Sequence, residues 1–69
     1  MIKLGKYQHF KGRYYQVLHI ARHSETEEYL VVYHPFSQKD DIWVRPLSMF
    51  TEVITRAGKT MQRFEFVGD

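Results

Sequence analysis

The 69-residue chain has no cysteine, which excludes both disulfide staples and thiolate zinc sites. A chain of this length buries only about 60% of the surface exposed when unfolded, so its stability has to come from packing of apolar side chains. Long hydrophobic runs are lacking too. No stretch approaches the roughly 20 apolar residues of a membrane span, and the opening MIKLGKYQHF is too polar for a secretion signal. A soluble, cytoplasmic protein that does not engage membranes is the expectation. There is no repeat, low-complexity segment or linker, so residues 1–69 read as one domain. Nor does one sign of charge dominate. Ten basic against eight acidic residues give a net charge of +2 and a pI near 9.0, which permits a polyanionic partner without requiring one.

What the chain does have is aromatic and β-branched side chains, including five Phe and five Tyr. Turn-forming residues punctuate it at Lys11-Gly12, at residues 23–26, at 35–41, at Pro46 and at residues 57–59. Between these marks lie YQHF, RYYQVLHIAR, EEYLVVYH, IWVR, TEVIT and MQRFEFV, each of strand length and composition. Ser24 and Glu27 fit a capping box that could open a helix through EEYLVVYH. Tyr29, Val31, Val32 and Tyr33 nevertheless favour a pleated sheet. In RYYQVLHIAR the adjacent Val17 and Leu18 break the alternation, which a bend or bulge would accommodate. After Pro46, LSMF cannot continue a ladder. A single 3₁₀ turn there would place Leu47 and Phe50 on one side. The expected fold is mainly β: a small SH3-like barrel of five to six short antiparallel strands with a 3₁₀ turn after Pro46.

The segment DIWVRPLSMF holds the only tryptophan. Strand alternation puts Ile42 and Val44 on one face and Trp43 and Arg45 on the other. If Leu30 and Val32 point inward with Ile42 and Val44, then Val31, Tyr33, Trp43 and Arg45 share the outer face. Rings beside a guanidinium supply stacking planes and a planar fork for phosphate or carboxylate, a mixture suited to nucleic acid or to a protein or peptide. Alternatively, Trp43 covers a second small core and Arg45 lies across it as a cation–π cover. The candidate site is therefore Tyr33, Trp43 and Arg45, with Arg22, His23 and Glu25 as a polar rim. A flat apolar face of this kind could also be covered in a homodimer.

The stretch ARHSETEE is the densest in polar chemistry. As an enzyme it would offer His23, Ser24 and Glu25, but consecutive turn residues rarely converge as nucleophile and base, and no nucleophile elbow is present. A turn held by its Ser and Thr hydroxyls, with Arg22 paired to a glutamate, accounts for the same residues. His19 and His23 are four apart on a strand entering a turn, not on a helix, so no metal site is expected, and no cofactor. His9 and His34 read as strand positions, one of them at a core edge. Gly12 and Gly58 read as turn glycines with positive φ. Asp40-Asp41 falls in a loop. The expected function is a non-enzymatic binding module.

Several of these stretches together resemble a known family. Tyr7-x-His9-Phe10-Lys11-Gly12, Tyr15-x-Val17-Leu18, residues 21–26 (ARHSET), Val31-Val32-Tyr33 and residues 43–50 (WVRPLSMF) are similar to the bacterial domain of unknown function 1653. The resemblance covers about Gly5 to Phe66, with Gln62 standing where the family pattern has proline. It implies a compact, mainly β domain and brings no activity, cofactor or catalytic residue with it.

Overall fold

The computed structural model describes residues 1–68. Seven strands and one helical turn follow in chain order: β1 Gly5–His9, β2 Tyr14–Arg22, β3 Tyr29–Pro35, β4 Trp43–Pro46, α1 Leu47–Phe50, β5 Val53–Arg56, β6 Lys59–Gln62 and β7 Phe64–Gly68. Five of them form an antiparallel sheet in the order β4-β3-β2-β1-β7, and β5 and β6 form a separate two-stranded ribbon. The architecture is mainly β and barrel-like, but the sheet does not close on itself.

The expected strands are present with one addition. MQRFEFV divides at Arg63 into β6 and β7, because the Arg63 backbone leaves the ribbon: its N–H donates to the Glu52 carbonyl and its carbonyl accepts from Phe10 N–H. Residues 29–35 form a strand and not a helix. The bulge expected in β2 falls between Val17 and His19: Val17 pairs with Tyr33 and His19 with Val32, leaving Leu18 as the extra residue. Val17 and Ile20 can thereby both face the core. The turn after Pro46 is α-helical and not 3₁₀, with the Thr51 N–H donating to the Leu47 carbonyl at 3.0 Å. It still places Phe50 in the core with Leu47 packed beside it. The β5–β6 hairpin turns on Ala57 and Gly58, both at positive φ (52° and 77°), as a two-residue turn of this type requires.

Tyr7, Tyr15, Val17, Val31, Tyr33, Phe50 and Phe64 make the core. This reverses the expected facing of β3 and β4. Val31 and Tyr33 are buried, whereas Val44 is 60% exposed and Ile42 about half exposed. The alternation itself holds, since Val31 pairs with Arg45 and Tyr33 with Trp43 across the two strands. The covered side is fixed by rings from elsewhere in the chain: Tyr15, Phe50 and Phe64 all lie within 6 Å of Tyr33 in edge-on geometry.

Candidate binding face

β4 is an edge strand, so the core side of the sheet runs out beside it. Trp43 lies on that side with its ring 5.9 Å from Tyr33 and 6.1 Å from Tyr15, yet it keeps 39% of its surface exposed. Tyr33, expected as a second stacking plane, is only 2% exposed and serves as the floor beneath Trp43. Arg45, two residues along β4, donates from Nε to the Tyr33 hydroxyl at 3.3 Å and lays its guanidinium over the Phe64 ring at 5.7 Å. The cation–π cover considered from the sequence is thus real, and the core it covers is the main one. Among the described residues the terminal nitrogens of Arg45 have no hydrogen-bond partner.

A second stretch, HFKG, meets WVRP here. His9 at the end of β1 packs on Phe10, Phe64 and Tyr15, with centroids at 4.4, 4.9 and 6.4 Å, and its Nδ1 accepts from the Lys11 N–H at 3.1 Å. Burial, reinforced by the positive charges of Arg63, Arg45 and Lys11, holds the His9 imidazole below its ordinary pKa. Phe10 carries Lys11 and Arg56 over its ring at 5.8 and 5.6 Å. Among the described residues Arg63 and Glu52 form the one ion pair, so Arg45, Lys11 and Arg56 have no carboxylate within contact. The result is an aromatic platform edged by cations. His9, Phe10 and Lys11 were missed as site residues because β1 joins β4's neighbourhood only through β2 and β3.

The expected rim lies elsewhere. Arg22 pairs with Tyr29, four residues along β3 from Tyr33, a separation of about 13 Å at about 3.3 Å per residue. The Arg22 guanidinium donates to the Tyr29 hydroxyl at 2.9 Å and sits over its ring at 4.8 Å, in place of the expected glutamate pairing. The turn itself hangs on His23, whose Nδ1 accepts from the N–H groups of Glu25 (3.1 Å) and Thr26 (3.3 Å). The Thr26 hydroxyl bonds Glu28, and Ser24 contributes no such bond. Among the described residues no hydrogen bond joins His23 to Ser24. Among the described residues no cluster of His, Asp or Glu could hold a metal ion. Among the described residues no helix is long and apolar enough to cross a membrane.

The fold and face define a small antiparallel barrel-like protein with an aromatic platform at its open edge. The family described as a protein of unknown function, DUF1653, matches residues 5–66, and the chain belongs to that family. It is similar to the crystal structure of a DUF1653 protein from Bordetella bronchiseptica, with a TM-score of 0.87 and 32% identity over 97% of this chain and 88% of that one. Comparison with curated proteins gives no significant match.

Proposed function

We propose that the domain is a non-enzymatic binding module whose Trp43–Arg45 face takes single-stranded nucleic acid. The observation that carries this reading is the partly exposed Trp43 ring on the same strand face as Arg45, with Lys11 and Arg56 over the neighbouring Phe10 ring, three cations that have no carboxylate partner among the described residues. A base stacks on Trp43 while the free end of Arg45 meets a phosphate, with Lys11 and Arg56 following the backbone around Phe10. Tyr33 acts from below, holding the Arg45 Nε and leaving the terminal nitrogens for the ligand. A protein or peptide partner is the second reading. It is favoured by the free edge of β4, where Ile42 and Val44 are exposed and an extended peptide could add a strand.

Trp43 is its own reporter. Titration with single-stranded oligo(dT) should quench its fluorescence, and three phosphate contacts give a slope of log K against log salt of about −2. Arg45→Ala should make that slope shallower by about 0.7, and Trp43→Ala should cost about 1–3 kcal/mol of binding. Binding that ignores salt, or an oligonucleotide that leaves Trp43 fluorescence unchanged, would overturn the nucleic-acid reading.

A further inference from the structure

The opposite face of the sheet carries a second constellation. Lys6 pairs with Gln16, and Gln16 with His34, so these three side chains form one row across β1, β2 and β3. Tyr14 and Phe36, each two residues from a member of that row, are tied together by a Phe36 N–H to Tyr14 carbonyl bond of 2.9 Å. The Lys6 ammonium lies between their rings, 4.5 Å from Tyr14 and 4.4 Å from Phe36. Against Phe36 opens a cavity of about 350 Å³ lined by Gln16, His34, Phe36 and Lys39.

His34 is the unusual member, because it faces away from the core and is nevertheless only 5% exposed. Its Nδ1 lies 2.7 Å from the Pro35 carbonyl oxygen, which can only accept, so Nδ1 carries the proton and donates. In the neutral ring Nε2 is then an acceptor, and among the described residues it has no hydrogen-bond partner. Among the described residues no sealed side-chain nitrogen or oxygen lacks a hydrogen bond, so Nε2 is open to the cavity it lines. Among the described residues Lys6 and Lys39 have no carboxylate in contact. The cavity therefore combines the Lys39 ammonium and the Gln16 amide with a histidine nitrogen that can accept a hydrogen bond.

That set selects among anions. Carboxylate and sulfate offer only acceptors at neutral pH and cannot themselves supply the hydrogen that Nε2 would accept. Phosphate retains at least one P–OH, so it can donate one hydrogen bond while its other oxygens accept. We infer that the cavity between Gln16, His34, Phe36 and Lys39 is a phosphate-binding site, with Lys39 and Gln16 donating to the anion and His34 Nε2 accepting from its P–OH.

The test is a titration of the whole protein with inorganic phosphate at pH 7, following the His34 ring nitrogens by NMR, with sulfate at matched ionic strength as the control. Saturable shifts at His34, with sulfate weaker by about tenfold or more, are expected, since a mismatched buried hydrogen bond costs on that scale. Lys39 is exposed, so Lys39→Ala should keep the fold and weaken phosphate about tenfold, and adding Gln16→Ala should weaken it further. Equal responses to phosphate and sulfate, no response at His34, or phosphate binding unaltered in Lys39→Ala would each overturn the assignment.

Discussion

The rings of Phe50 and Phe64 lie 4.1 Å apart and within 3° of parallel, which fastens the helical turn after β4 onto the last strand. Tyr33 and Tyr7 meet Phe50 edge-on at 5.6 and 5.3 Å, so one side chain joins α1 to the middle of β3 and to β1. Each such aromatic pair contributes about 0.5–1.5 kcal/mol beyond the area it buries. In a cysteine-free chain this cluster is the staple.

Phe50→Ala should therefore be among the most damaging single changes. Loss of a buried phenylalanine costs about 3–5 kcal/mol, against a total on the order of 3–10 kcal/mol for a chain of this length. Urea denaturation followed by circular dichroism should show a midpoint far below that of the parent, or no folded baseline. A loss under about 1 kcal/mol would mean that the turn packs loosely on the sheet.

Much of this arrangement is legible in the residues, and the limits are physical. The shared side of Tyr33, Trp43 and Arg45 follows from the two-residue period of a strand, and Leu18 announces its bulge by spoiling that period. Which side is covered does not follow, because alternation yields two faces. The choice is made by Phe50 and Phe64, which reach Tyr33 from the far end of the chain. His23 was read as a possible base when its Nδ1 serves as a turn acceptor, a role usually filled by Asp, Asn, Ser or Thr. In the sequence His9 reads only as a strand position and Lys11 as part of the first turn. Their meeting with Arg45 is a consequence of strand order.

The pH dependence of stability should carry a signature of His9. Its folded-state pKa lies below the ordinary imidazole value of 6.5, chiefly through burial and then through Arg63, Arg45 and Lys11. Below 6.5 the unfolded chain takes up the proton first, so stability is complete above that pH and declines as pH falls through the depressed folded value. Comparing denaturation midpoints from pH 7.5 down to 5 with those of His9→Gln should show a shallower acid decline in the variant. Identical profiles would mean that His9 is solvated in the folded state.

The turn at residues 23–28 gives a different kind of test. His23→Ala removes the acceptor for the Glu25 and Thr26 amides and should cost about 0.5–2 kcal/mol, the range for a lost side-chain cap. Asn at the same position, with a short side-chain oxygen, should recover part of it. Ser24→Ala should stay within about 0.5 kcal/mol, since the Ser24 hydroxyl holds nothing in the turn. Glu27 sits at a φ of 63°, so Glu27→Gly should be neutral or stabilising where glycine would ordinarily weaken a chain. Thermal melts of the four variants decide the matter, and a Ser24→Ala loss as large as that of His23→Ala would reassign the turn's support to the hydroxyl.

Trp43 separates binding from folding. Its ring rests on Tyr15 and Tyr33 but 39% of it remains in water, so its emission should fall between that of a buried and a free tryptophan, and acrylamide should quench it readily. Because only part of its area is buried, Trp43→Ala should cost about 1–2 kcal/mol of stability, clearly less than Phe50→Ala. At a temperature where both the parent and the variant are fully folded, oligo(dT) binding by Trp43→Ala, followed by anisotropy of a labelled strand, then reports the platform alone. A variant that folds but binds like the parent would reduce Trp43 to a lid on the aromatic core, and the cations around Phe10 would have to account for any affinity by themselves.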